Sequence, residues 1–225
     1  YGSLQQVQPA ADASLACGRP RPRSQAVTTM PDKKERHLVI SGFGGQGIIL
    51  AGDILGKAAT LYAHRHATMT QNYGPEARGG SCSSQVIVSG EEILFPHVAE
   101  PEILVCMSQE AYTKNIKTLR PGGTFLWDTD LVHVRRSDMP SRAFHIPATR
   151  FAEELGTKMM ANIVMLGFLS AVEPLVPAEA LKKAIADSVP VQTKDKNLHA
   201  FAKGREYGTA IVKGTAGEEP AKNQD

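Results

Sequence analysis

The sequence predicts an α/β protein: a Rossmann-like, mostly parallel sheet with flanking helices and a helical C-terminal portion. Three observations carry this reading. His37-Leu38-Val39-Ile40 is an apolar, β-branched run, the chain breaks at Gly42-Phe43-Gly44-Gly45-Gln46-Gly47, and Ile48, Ile49, Leu50, Ile54, Leu55, Ala58 and Ala59 then recur at helical spacing. That is strand, glycine turn, helix. Strand-like and helix-like runs go on alternating as far as Gly156, as βαβ units require. From Met159 onward the pattern is helical only.

The elements follow in order. Tyr1 to Thr29 hold Gln, Ala, Ser, Pro and Arg but no apolar stretch of the kind a secretory signal needs. Met30, just before Pro-Asp-Lys-Lys-Glu-Arg, reads as the natural start, and residues 1–34 as a disordered N-terminal extension. Gly42, Gly44 and Gly47 match G-x-G-x-x-G: the first suits a tight turn, the second close backbone approach, the third helix–strand packing. Amides at the following helix N-terminus lack intrahelical acceptors and sit at the positive end of the dipole. Gly42, Gly44, Gly45, Gln46 and Gly47 therefore form either an anion-binding loop or one that only lets helix and sheet pack closely.

A nicotinamide dinucleotide site also needs an acid at the end of the second strand. That strand, within Arg65–Gln71, has none. His64 and His66 would share a strand face but lack a third ligand, so no metal site is expected. Asn72 to Gly80 is a loop, since Pro75 and the glycines forbid a helix or a central strand, yet it carries Tyr73, Glu76 and Arg78.

Ser81 to Ser89 reads as a strand, Gly90-Glu91-Glu92 as a turn and Ile93–Pro96 as a short extended piece, together an antiparallel hairpin at the sheet edge. Strands are expected at Glu102–Met107, Thr124–Asp128 and Ala143–Ile146, with helices at Gln109–Leu119 and Ala148–Gly156. Met159–Val172 is apolar nearly all round, which predicts a helix buried within the protein or against a partner. Pro177–Ser188 is amphipathic, and Asp195–Tyr207 completes the set. The expected organisation is one α/β domain over 35–208 and a flexible tail over 209–225.

With 225 residues, 42% hydrophobic and 21% charged, the composition is that of a globular protein able to fold without staples. A formal charge of +2 gives no reason to expect nucleic acid or membrane partners. Cys17, Cys82 and Cys106 have no C-x-x-C spacing and form no zinc or iron–sulfur framework, which predicts free thiols in a reducing cytoplasm. Cys106 sits in an apolar strand pattern and reads as core. No residue is singled out as general base or nucleophile, because the sequence identifies no partner for His97 or His145.

The glycine turn followed by Tyr73-Gly74-Pro75-Glu76-Ala77-Arg78-Gly79-Gly80 resembles the γ subunit of 2-oxoacid:ferredoxin oxidoreductases, over roughly Glu35 to Gly208. Within that family the chain looks most like the separate γ chain of 2-oxoglutarate enzymes, with pyruvate and indolepyruvate enzymes sharing the motifs. The resemblance implies a reaction in which a 2-oxoacid and coenzyme A give acyl-CoA and carbon dioxide, with electrons passed to ferredoxin. It implies thiamine diphosphate, Mg2+ and iron–sulfur clusters held by partner α and β chains, and a δ chain in some complexes. The chain itself has neither a cysteine cluster nor a G-D-G…N segment. Tyr73 and Glu76 would belong to a subunit interface, Arg78 to that interface or to coenzyme A, and the turn from Gly42 to Gly47 to an anion. A free-standing nicotinamide-dependent oxidoreductase is the alternative from a different class.

Overall fold

The computed structural model describes residues 35–74 and 79–214, so Glu76, Arg78, Cys17, Met30 and the tail beyond 214 lie outside the described residues. Among the described residues six strands form one sheet in the order β2-β3-β1-β4-β5-β6. They are β1 (Glu35–Phe43), β2 (His66–Tyr73), β3 (Ser81–Ser89), β4 (Ile103–Cys106), β5 (Thr124–Asp128) and β6 (Arg142–Ile146). β1, β4, β5 and β6 run parallel, whereas β3 is antiparallel to both β1 and β2.

This corrects the expected hairpin. β3 pairs with β1 on one side and β2 on the other, leaving no edge for Ile93–Pro96, which is not a strand. Pro96 has no N–H to offer a ladder. Leu94 and Phe95 stand 86% and 72% exposed, and the hairpin is instead formed by β2 and β3.

The helices are α1 (Ile48–Lys57), α2 (Gln109–Asn115), α3 (Ala148–Glu154), α4 (Ala161–Val172), α5 (Ala178–Ser188) and α6 (Lys194–Val212). α1 continues as a wider turn over Ala58–Tyr62, and α6 outruns its predicted end at Tyr207. His64 lies before β2 with φ +52°, so it does not share a strand face with His66 as expected. None of the described helices is long and apolar enough to cross a membrane.

The two sheet faces are covered unequally. Alternating β residues such as Leu38, Ile40, Val86, Val105 and Leu126 join one cluster with α1, α3, α4, α5 and α6. Their neighbours Val39, Ile87, Leu104, Phe125 and Trp127 join a smaller one with α2 and loop residues such as Val98 and Val132. α4 is buried nearly all round, as its apolar pattern predicts, because α6 covers the side turned away from the sheet. There Gly167 and Gly204 let the backbones touch. A Cβ on Gly204 would lie 1.9 Å from the Val164 carbonyl oxygen, and one on Gly167 2.1 Å from that of Phe201.

At the amino ends of the parallel strands, charges alternate from Arg120 through Glu102, Arg36 and Glu173 to Arg142, at 2.5 to 2.8 Å. Glu173, just past the end of α4, also accepts from Thr124 Oγ1 at 2.6 Å. This network joins the starts of β1, β5 and β6 to the helical layer. It is also distant in sequence, so nothing local announces it.

Candidate functional site

In a parallel sheet, ligands favour the carboxyl ends of strands where the helices that follow neighbouring strands go to opposite faces. Here that place is between β1 and β4, because α1 belongs to the larger cluster and α2 to the smaller. The glycine turn sits there. β1 ends at Phe43, and α1 starts after Gly47, which is in the left-handed region with φ +72°. An alanine Cβ at Gly47 would also lie 2.3 Å from Asn162 Nδ2. The third glycine thus makes room for α4 rather than for the sheet.

Two side-chain amides fix this turn. Gln46 Oε1 accepts from the Phe43 amide at 2.6 Å, and Gln46 Nε2 donates to the Met107 carbonyl at 2.7 Å, spanning from β1 to the end of β4. Asn162, only 2% exposed at the start of α4, donates from Nδ2 to the Gly47 carbonyl at 3.0 Å. Gln46 thus braces the turn that the sequence offers as either an anion-binding or a packing loop, with both polar atoms of its side chain engaged by backbone. Asn162 was missed by sequence reasoning. The only sign of it is one amide in an otherwise apolar helical run, a residue type that is rarely buried without a partner.

The turn and the second motif meet. The Gly44 amide donates to the Gly80 carbonyl at 2.9 Å, and the Gly74 amide to the Ser81 carbonyl at 2.6 Å. A Cβ at Gly44 would lie 3.6 Å from the Gly79 nitrogen, an ordinary van der Waals distance, so it is the Gly44–Gly80 hydrogen bond that brings the two backbones together. Gly44 and Gly45 are exposed, and Tyr73, at the end of β2, is 68% exposed. Its hydroxyl donates to Gln71 Oε1 at 2.9 Å. The amides of Ile48, Ile49 and Leu50 precede the first intrahelical bond, from the Ala51 amide to the Gly47 carbonyl. The arrangement can therefore present amides from two adjoining loops and an aromatic ring from the end of β2, so the expected loop over Asn72 to Gly80 begins only after Tyr73.

Acid–base or thiol chemistry finds little support nearby. Burial pushes the Cys106 thiol far up and raises Cys82, so both are held as thiols. His145 lies tilted against Trp127 at 5.1 Å between ring centroids, and His97 meets Phe95 edge-on at 6.0 Å. Among the described residues no group of three His, Cys, Asp or Glu side chains could hold a metal ion. The donor set does not fit an iron–sulfur cluster or a magnesium ion within these residues.

The place beside β1 where a dinucleotide site would draw its ribose-binding acid is taken by β3, running the opposite way. The acid-free strand of the sequence reading, β2, is one strand further out.

Residues 37–207 match the family model described as pyruvate ferredoxin/flavodoxin oxidoreductase. The chain is 51% identical over 181 residues to the 2-oxoglutarate synthase subunit KorC of Methanocaldococcus jannaschii, covering 80% of this chain and 97% of that one. Its fold is similar to that of a keto/oxoacid ferredoxin oxidoreductase γ subunit from Geobacter sulfurreducens, with a TM-score of 0.69, 34% identity, and 78% and 97% of the two chains covered. It is also similar to part of the 2-oxoglutarate:ferredoxin oxidoreductase of Magnetococcus marinus, solved with 2-oxoglutarate, coenzyme A and succinyl-CoA bound. There the TM-score is 0.71 and the identity 27%, with 80% of this chain but 32% of that one covered.

Proposed function

The chain belongs to the pyruvate ferredoxin/flavodoxin oxidoreductase family, and from that premise we propose that it is the γ-type subunit of a 2-oxoglutarate:ferredoxin oxidoreductase. The observation that carries this is the 51% identity to a 2-oxoglutarate synthase subunit over nearly that subunit's whole length. The complex decarboxylates 2-oxoglutarate oxidatively, joins the remaining acyl group to coenzyme A, and passes electrons to ferredoxin.

Thiamine diphosphate, magnesium and iron–sulfur clusters supply the carbanion and electron-transfer chemistry from the partner α and β chains, with a δ chain where the complex has one. This chain's part is to position and enclose. The rigid turn from Gly42 to Gly47, held by Gln46 and Asn162, offers amides suited to an anionic group such as a coenzyme A phosphate. Tyr73 supplies an amphipathic anchor at a subunit boundary, and Arg78, with Glu76 beside it in sequence, a planar guanidinium for a carboxylate or phosphate. A cytoplasmic complex follows from this chemistry.

Reconstitution tests the reading. The partner α and β chains are purified with and without this one, and ferredoxin reduction is followed with 2-oxoglutarate, pyruvate, indolepyruvate and ketoisovalerate. The expected result is coenzyme A-dependent activity that prefers 2-oxoglutarate and needs this chain. Equal activity without it, or a preference for another 2-oxoacid, would overturn the proposal.

A further inference from the structure

We propose that β2 is a dimerisation strand: the outer edge of the sheet pairs, antiparallel about a twofold axis, with β2 of a second copy of this chain. This goes beyond the catalytic assignment and does not rest on it. β2 ends the sheet, pairing over its whole length with β3, and no other described backbone group bonds to its outer edge.

Edge strands left to solvent normally carry a device against pairing, such as a lysine, a proline, a bulge or extreme shortness. β2 spans His66-Ala67-Thr68-Met69-Thr70-Gln71-Asn72-Tyr73 and contains no Lys, Arg, Asp, Glu, Pro or Gly. The other edge shows the contrast. β6 is five residues long, begins with Arg142, and is flanked by Pro140 and Pro147.

A second copy fits this edge better than a charged partner does. An uncharged strand meets no like charge when it faces itself, and opposed Thr and Asn side chains can hydrogen-bond across the pair. A twofold axis perpendicular to the sheet keeps each face on its own side, so opposed residues must differ by an even number. The axis must then pass through a residue position near the middle of β2, Met69 or Thr70.

Thr70 is favoured. That register opposes Thr70 to itself and Thr68 to the second copy's Asn72, on the face turned from the larger core. On the other face, where Ala67 and Met69 pack against the core, it sets Tyr73 across from the second copy's Ala67. A large, 68% exposed ring is thereby covered beside a small residue.

The full-length chain is examined by sedimentation equilibrium over a wide concentration range, with Thr70→Lys and Thr70→Cys beside it. The wild type should be a dimer. Thr70→Lys sets like charges face to face, so it should be monomeric with unchanged circular dichroism. Mild oxidation should crosslink Thr70→Cys into a covalent dimer, since opposed antiparallel residues have Cβ atoms about 4.5–5.5 Å apart. A monomeric wild type, a dimer untouched by Thr70→Lys, or no crosslink at Thr70→Cys would overturn the proposal. So would protection of β2 amides from hydrogen exchange only after partner subunits are added, because a foreign strand would then occupy the edge.

Discussion

Asp128 is a fully buried carboxylate at the end of β5, and its partners explain it. Oδ2 accepts from the Thr149 amide at 2.9 Å and the Thr149 hydroxyl at 2.6 Å, while Oδ1 accepts from the Asp130 amide at 3.0 Å. It thus ties β5 to the first turn of α3. Burial pushes its pKa up, against those hydrogen bonds. A raised carboxyl pKa means that the folded chain holds the proton more tightly than the unfolded chain. Stability from that proton is complete below the unfolded value and is lost as pH rises through the folded one. Asp128→Asn should therefore be most destabilised relative to wild type at acidic pH, and the gap in melting temperature should narrow toward neutrality. A gap that widens as pH rises contradicts the account. Arg78 makes a different kind of claim, about assembly. Arg78→Ala should weaken subunit affinity by about 2–5 kcal/mol, the usual effect of truncating one partner of a buried charge pair, with little change in the isolated chain's melting. Arg78→Lys should restore only part of it. If Glu76→Ala gives the same loss, the two residues brace their own loop instead.

At the scale of elements, α4 and α6 pack backbone against backbone at Gly167 and Gly204. Ala normally stabilises a helix relative to Gly by about 1 kcal/mol. Gly204→Ala should do the opposite, because the added methyl would meet the Val164 carbonyl oxygen, a backbone atom that moves only if the helices separate. Overpacking of this kind costs about 1–3 kcal/mol, so a net fall in melting temperature is expected. A half-buried control such as Gly56→Ala, where a Cβ meets nothing within 4 Å, should be neutral or stabilising. The turn before α1 follows the same logic. Gln46 and Asn162 hold its shape from two elements that the sequence places far away.

For the whole molecule, the order of strands decides which ligands the fold can take. A nicotinamide site needs a parallel neighbour beside β1 with an acid at its carboxyl end, and β3 fills that position in the antiparallel sense. Calorimetric titration of the chain with NAD(H) or NADP(H) should give no saturable heat. A micromolar isotherm would mean that the turn binds dinucleotides after all. The same sheet order joins the two motifs near residues 44 and 80 at one crevice, although the second strand and a crossover separate them in sequence.

The sequence by itself determined the elements that local periodicity can encode: the strand–turn–helix unit at β1 and α1, the buried α4, and the core placement of Cys106. Its two loop motifs were also specific enough to point to the family. Only the tertiary structure decided how those elements meet. Whether Ser81–Ser89 pairs forward with Ile93–Pro96 or backward with β2 turns on which strand edges remain free, and no short window of sequence contains that. The partners of Gln46, Asn162, Asp128 and Glu173 lie on other elements. Side-chain chemistry shows that a buried amide or carboxylate must be satisfied, but long-range chain packing selects the atom that satisfies it.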